Sequence, residues 1–107
     1  MPRESKFQAN LIRELKDMFP GCKVLKNDAG YLQGFPDLLI LYKKMWAALE
    51  VKRSLCAPRR PNQEYYVEEL DEMSFASFIC PENKREVLDE LQHSFAPRRA
   101  ARFSKRQ

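Results

Sequence analysis

Residues 36–52 read PDLLILYKKMWAALEVK, and this stretch decides the fold. The part from residue 36 to residue 42 is apolar except for Asp37, which is typical of a strand buried on both faces. Lys43 and Lys44 form a tight polar turn, and residues 45–52 continue as the next strand. The stretch therefore predicts a β-hairpin.

On the amino-terminal side of the hairpin, residues 4–19 are predicted to form a helix that Pro20 and Gly21 end. Residues 22–26 follow as a first strand, and the turn-forming residues 27–30 separate it from the hairpin. The apolar residues of the helix recur at helical spacing and form one face: Phe7, Leu11, Leu15 and Met18.

On the carboxyl-terminal side, residues 54–61 contain two prolines and form a loop. Asn62 is predicted to cap a helix that runs to about Met73, and residues 74–80 form a fourth strand. Pro81 and Glu82 open a final helix that runs to about residue 95. The inward-facing residues of the two helices are predicted to be Val67, Leu70 and Met73, and Val87, Leu88, Leu91 and Phe95.

The element order is therefore α-β-β-β-α-β-α. A helix between the third and fourth strands fits a crossover within one mixed sheet that helices flank, so the fold class is α/β. We predict that residues 1–95 form this single domain. Residues 96–107 show no apolar periodicity and are expected to form a basic, flexible tail.

The net charge of +4 is unevenly placed. The tail carries five basic residues and no acidic ones: Arg98, Arg99, Arg102, Lys105 and Arg106. The rest of the chain has 14 basic and 15 acidic residues, so its own charge is close to neutral. A short basic arm is typical of nucleic-acid contact, and equally of an end that only keeps a protein in solution.

Cysteine and histidine usage excludes several kinds of site. Cys22, Cys56 and Cys80 are too widely spaced for a zinc pair or a disulfide framework, and we expect them to be buried as small apolar side chains. A zinc hydrolase or a histidine-based nuclease would need more than the single His93. Because no leader-like or membrane-spanning apolar run is found, we expect an intracellular, cytoplasmic protein (host cytoplasm if viral) with no membrane partner.

The residues with the clearest chemistry are Asp37, Glu50 and Lys52. Asp37 begins one strand of the hairpin and Glu50 lies on the other, so the turn can bring the two carboxylates together. Glu50 and Lys52 are two residues apart and point to the same face of a strand, roughly 6–7 Å from each other. Their neighbours are apolar, and a charge in such a strand is costly unless it is paired or bound to a metal.

Two carboxylates at a strand end can hold Mg²⁺, which prefers oxygen ligands and keeps several waters. The ion would polarise a phosphodiester and activate water, and Lys52 would orient that water or neutralise charge on the phosphate. The structural alternatives are a Pro-Asp turn at Asp37 and an exposed salt pair between Glu50 and Lys52. The occurrence of all three residues in this order across a hairpin favours the metal site.

The run GFPDLLI at residues 34–40, followed by LEVK at residues 49–52, resembles the signature of the PD-(D/E)XK nucleases. Within that superfamily the chain is most similar to the small stand-alone VRR-NUC (virus-type replication-repair nuclease) proteins, and more broadly to phage-type Holliday-junction resolvases. The similarity extends over roughly residues 4–92. It implies a restriction-endonuclease-like core and cleavage of branched DNA by a homodimer that uses Mg²⁺ or Mn²⁺.

The resemblance also implies roles for further residues. Glu4, with Glu14 as a less favoured substitute, would complete a metal site formed by Asp37, Glu50 and Val51. Gln63 would lie on the helix after the lysine strand, close to metal and substrate, or would be an ordinary exposed polar residue.

The tetrapeptide APRR occurs at residues 57–60 and 96–99, by chance or as two phosphate-binding loops. The residues that we predict to bind nucleic acid are Lys26, Arg53, Arg59, Arg60, Arg98 and Arg99.

The sequence therefore predicts a metal-dependent, structure-selective endodeoxyribonuclease whose catalytic residues are Asp37, Glu50, Lys52 and Gln63. An exonuclease or nicking enzyme of the same fold is one alternative. A catalytically silent DNA-binding or virion-associated module is the other, and the intact acidic and lysine positions argue against it.

Overall fold

The hairpin predicted from residues 36–52 lies in the middle of a four-stranded sheet in the computed structural model. The structure describes residues 3–28 and 30–96, with side chains from residue 5 onward in those ranges. The elements, which follow the predicted order, are α1 (Arg3–Met18), β1 (Lys23–Lys26), β2 (Leu38–Tyr42), β3 (Met45–Val51), α2 (Pro61–Met73), β4 (Phe75–Ile79) and α3 (Lys84–Ser94).

The sheet is mixed, as predicted, with strand order β1-β2-β3-β4. The pairs β1–β2 and β2–β3 are antiparallel, whereas β3 and β4 run parallel. The tight turn between β2 and β3 holds Lys43 at φ +56°, the left-handed conformation that short hairpin turns require. The parallel pair needs a crossover, and α2 supplies it.

Side chains alternate between the two faces of a strand, and the two faces of this sheet pack differently. The covered face carries Leu38, Ile40, Leu49 and Val51 and packs against α1 and α3. The helices contribute the buried side chains of Leu11, Leu15, Val87, Leu88, Leu91 and Phe95, as the apolar spacing predicts. The site face carries Leu39, Trp46, Ala48, Ala76 and Phe78, and α2 packs on it through Val67 and Leu70.

Three predictions about the helices are wrong in detail. Helix α2 starts at Pro61, and Arg60, not Asn62, occupies the N-cap position. Proline is favoured at the first helical position because it has no N–H that needs a hydrogen-bond partner. Helix α3 starts at Lys84, because the Asn83 side chain instead accepts the backbone N–H of Cys80 at 2.8 Å.

Met73 was predicted to face inward and is 65% exposed. Positions three residues apart along a helix differ in direction by about 60°, so Met73 points about 120° away from Val67.

Burial of cysteine is confirmed for Cys22 and Cys80 and is wrong for Cys56, which is exposed in the loop after β3. None of the helices that the structure describes has the length and apolar character needed to cross a membrane.

Candidate active site

The hairpin register brings Asp37 and Glu50 face to face. Leu38 of β2 pairs with Leu49 of β3. Asp37, which precedes β2, therefore lies opposite Glu50. Oδ2 of Asp37 accepts the backbone N–H of Val51 at 2.9 Å, which fixes this carboxylate at the end of the sheet. Glu50 is only 4% exposed and points to the site face, because its neighbour Leu49 points to the covered face.

Lys52 follows Val51, the last residue of β3. It continues the alternation of side chains between the two faces of the sheet, so it points to the same face as Glu50. Its backbone N–H donates to the carbonyl of Ile79 at 2.8 Å, which continues the pairing with β4 by one residue. Its amine donates to Oε1 of Gln63 at 2.7 Å and to the carbonyl of Pro58 at 2.9 Å. The lysine is therefore held on the site face, beside Glu50, by α2 and by the loop after β3.

Gln63 connects the acidic and basic members of the site. Its Nε2 donates to Oε2 of Glu50 at 3.0 Å, and its Oε1 accepts the Lys52 amine and the backbone N–H of Arg60, the latter at 3.1 Å. These bonds place Gln63 between the carboxylate and the ammonium group and tie both to the first turn of α2. A buried carboxylate is costly, and this donor offsets part of the cost for Glu50.

These side chains line one open cavity of about 360 Å³. The lining residues are Asp37, Glu50, Lys52, Arg53, Ala57, Pro58, Arg60 and Gln63. The two carboxylates lie together at the end of the hairpin, and three cationic side chains share the cavity with them. Such a site can bind a phosphate through its cations and a divalent ion through its acids.

The structure brings together six of the predicted site residues at this cavity: Asp37, Glu50, Lys52, Gln63, Arg53 and Arg60. It does not bring Lys26 there, which lies at the end of β1. Arg59 lies with its guanidinium carbon 4.0 Å from the ring centre of Phe78 and does not line the cavity. The side chain of Glu4, and all of Arg98 and Arg99, lie outside the described residues.

Glu14 does not lie at the cavity, so it cannot substitute for Glu4 at a metal site there. Its carboxylate forms ion pairs with Lys84 at 2.9 Å and with Arg85 at 3.6 Å, which link α1 to α3. These contacts give Glu14 a structural role on the other side of the sheet from Glu50.

Sequence reasoning missed the part that the backbone takes in the site. The carbonyl of Pro58 holds the Lys52 amine, and the N–H of Arg60 holds the Gln63 side chain. Every residue has a backbone carbonyl, so its use as a ligand leaves no mark in residue types. The two prolines in residues 54–61 were the available signal, since they indicate a loop of restricted conformation.

Within the described residues, no three His, Cys, Asp or Glu side chains are grouped so as to hold a metal ion. The donors at the cavity are the two carboxylates of Asp37 and Glu50. That set fits Mg²⁺, which is commonly held by one or two carboxylates together with waters and substrate oxygens. The backbone carbonyl of Val51 is a further candidate ligand. In an extended residue the N–H and C=O point to the same side, and the N–H of Val51 points to Asp37, so its carbonyl points to that side as well.

Comparisons with protein-family models, with curated proteins and with solved structures found no match to this chain. The chemistry of the cavity itself is what bears on the function. Its arrangement can bind an anionic group between Lys52, Arg53 and Arg60, next to paired carboxylates. This combination suits the hydrolysis of a phosphodiester better than chemistry on a neutral substrate.

Proposed function

We propose that this protein is a metal-dependent nuclease with a restriction-endonuclease-like core, similar to the PD-(D/E)XK enzymes. The observation that carries the proposal is the placement of Asp37 opposite Glu50, with Lys52 on the same cavity. A structural salt pair between Glu50 and Lys52 needs no second acidic group and no cavity. Two acids, one lysine and two arginines around an open cavity are what phosphodiester hydrolysis requires.

Asp37, Glu50 and the carbonyl of Val51 would hold Mg²⁺ or Mn²⁺, with Glu4 as a further ligand. When bound, the ion supplies Lewis-acid polarisation of the phosphodiester and makes water more acidic. The Lys52 amine neutralises negative charge that develops on the phosphate. Gln63 keeps Glu50 and Lys52 at their places, and Arg53 and Arg60 bind the phosphate groups on either side of the cut.

We propose branched DNA as the substrate, cut by an endonucleolytic mechanism. Arg98 and Arg99 would add affinity that depends on salt concentration and not on sequence. The cut position would still be set by the cavity, because the carboxylates that hold the ion lie there.

The proposal is tested with the full chain and supercoiled plasmid in Mg²⁺, in Mn²⁺ and in EDTA. We expect nicked and linear products with either ion and none in EDTA. Binding of the plasmid without cleavage in either ion would contradict the proposal and favour a silent DNA-binding module.

A four-way junction and a linear duplex of the same sequence then test the mode of cutting. Discrete cuts near the branch point are expected for the junction. Stepwise shortening of the linear duplex from its ends would contradict the endonuclease and identify an exonuclease of the same fold.

We further propose that the active form is a homodimer. Two symmetric cuts in a branched substrate need two active sites, and two-fold assemblies are the commonest oligomers. Light scattering of the full chain should give twice the mass of one chain, alone or with junction DNA. A monomeric mass in both conditions would contradict the homodimer and leave the cleavage proposal standing.

A further inference from the structure

A second cavity adjoins the catalytic one. Its volume is about 440 Å³, and it is lined by Gln33, Gly34, Arg60, Pro61, Asn62 and Gln63. Arg60 and Gln63 line both cavities, so the two are adjacent. A molecule whose phosphate lies beside Lys52 therefore has a place for its next group in this second cavity.

The wall of this second cavity is formed by a close contact between the loop before β2 and α2. Gly34 has φ +88°, and a β-carbon added to it would lie 2.5 Å from the β-carbon of Asn62. Only glycine allows the loop to lie so close to the helix. The contact holds the loop with Gln33 beside Asn62 of α2, and both residues line the cavity.

The chemistry of the lining matches a nucleobase. The side chains of Gln33 and Asn62 are exposed at this cavity, and each amide offers a donor and an acceptor to a ligand. The edges of bases present donors and acceptors in the same way, and amides are regular partners for them. No carboxylate lines this cavity, and the ring of Pro61 adds an apolar surface.

We propose that the second cavity binds the base of an unpaired nucleotide next to the phosphate that is cut. The volume is within the range of roughly 300–1,000 Å³ that small-ligand cavities have. A base inside an intact duplex is paired and stacked, so its edge is not available and moving it out is unfavourable. The preferred substrates are therefore those in which the nucleotide at the cut is unpaired or unpairs at low cost, as beside a branch point, a refinement that rests on the nuclease proposed above.

The test uses three duplexes of one sequence: one with a single-nucleotide bulge, one with an abasic residue in the bulge, and one fully paired. The wild-type chain should cut the bulge with a base about tenfold faster than the abasic bulge, since good contacts to one base discriminate by about that factor or more. Gln33→Ala and Asn62→Ala should each bring this ratio close to one. Gln92→Ala is the matched control, because Gln92 is an exposed glutamine of α3, and it should keep the wild-type ratio.

A wild-type ratio of one, or a tenfold ratio that persists in both variants, would overturn the proposal. Binding of a fluorescent tetrathymidylate in EDTA separates this outcome from failure of the nuclease itself. If no DNA is cut but Gln33→Ala and Asn62→Ala weaken tetrathymidylate binding relative to Gln92→Ala, the base site stands and the nuclease does not. If no DNA is cut and all variants bind equally, both proposals fail. Equal unfolding temperatures across the variants confirm that each is folded.

Discussion

The covered face and the site face of the sheet are built from neighbouring residues of the same strands. On the covered face, α1 and α3 bury apolar side chains along the strands, and Leu38, Ile40 and Leu49 have no exposed area. On the site face, α2 packs mainly on β3 and β4, and a charged residue, Glu50, is buried beside its first turn. The outer half of that face, on β1 and β2, leaves Leu25 and Leu41 exposed.

The difference between the two faces explains how a chain of this size can bury the charge of Glu50. The core on the covered face contains more buried apolar residues than the core on the site face, and burial of apolar surface stabilises by about 25 cal/mol per Å². We therefore expect the site face, which holds Glu50 and an open cavity, to contribute less to stability. Substitutions on the two faces should therefore have different consequences, and the four predictions below test this from the largest effect to the smallest.

The largest effect should come from the site face, on activity alone. Glu50→Gln and Lys52→Ala should each lower cleavage on the order of 10³-fold or more. Their free energies of unfolding should stay within about 1 kcal/mol of the wild type, because Glu50→Gln removes a buried charge together with its desolvation cost and Lys52 is only half-buried. Plasmid nicking and urea unfolding measure the two quantities.

Matched controls for these variants are Glu68→Gln on α2 and Lys44→Ala at the hairpin turn, which change exposed charges of the same type. Both controls should cut at the wild-type rate. Unfolding of Glu50→Gln or Lys52→Ala would show instead that the site is part of what stabilises the fold. Near-wild-type cutting by either would show that the chemistry lies elsewhere.

The second prediction compares leucines on the two faces by their effect on stability. Leu15→Ala removes a fully buried side chain from the covered face and should lower the free energy of unfolding by about 2–5 kcal/mol. Leu41→Ala removes one that is 38% exposed on the site face and should cost less than about 1 kcal/mol. Urea unfolding of both variants measures the difference, and equal losses would contradict the assignment of stability to the covered face.

The sequence predicted the hairpin and its acidic pair because both depend on short-range rules. Alternation along a strand fixes the faces of Glu50 and Lys52, and a two-residue turn fixes the register that places Asp37 opposite Glu50. The same local rules predicted the order of elements and the apolar faces of α1 and α3. Up to this point, knowledge of the neighbours in sequence is enough.

The rest depends on contacts between distant segments, which residue types do not record. The side chain of Gln63, in the first turn of α2, contacts Glu50 and Lys52 at and just after the end of β3. Arg59, which its charge alone predicts to bind nucleic acid, lies over Phe78, a contact that depends on the position of β4. Local pattern rules could not have given either arrangement.

The third prediction concerns the contact between the loop and α2 on the site face. Gly34 and Gly21 have nearly the same backbone angle, φ +88° and +89°, but only Gly34 has a neighbour within reach of an added β-carbon. Gly21→Ala should cost about 1 kcal/mol for the left-handed backbone alone. Gly34→Ala should cost about 1 kcal/mol more, because the methyl group would overlap Asn62. Urea unfolding compares them, and equal costs would show that the loop moves freely away from the helix.

The smallest effect concerns solvent access to the covered face and to the loop after β3. The reactivity of Cys22 reports access to the covered face, and that of Cys56 reports access to the loop. Cys22 is buried beside α1, with its thiol directed at the carbonyl of Leu15. Burial raises the pKa of the Cys22 thiol above its usual 9.0, and the nearby Lys16 and Lys23 offset this only in part. Cys56 is exposed in the loop beside the cavity that Asp37, Glu50 and Lys52 line. Iodoacetamide should therefore modify Cys56 quickly in the folded protein and Cys22 only on unfolding.

The same raised pKa gives a pH dependence whose sign is fixed. The unfolded chain loses the Cys22 proton near pH 9.0 while the folded chain retains it. The contribution of this thiol to the free energy of unfolding is therefore full below that pH and is lost as the pH rises through the folded-state pKa. Urea unfolding between about pH 8 and about pH 10 should show a fall that is shallower in Cys22→Ala than in the wild type. A Cys22→Ala variant with the wild-type slope, or rapid native modification of Cys22, would show that water reaches the covered face beside α1 as readily as it reaches the loop.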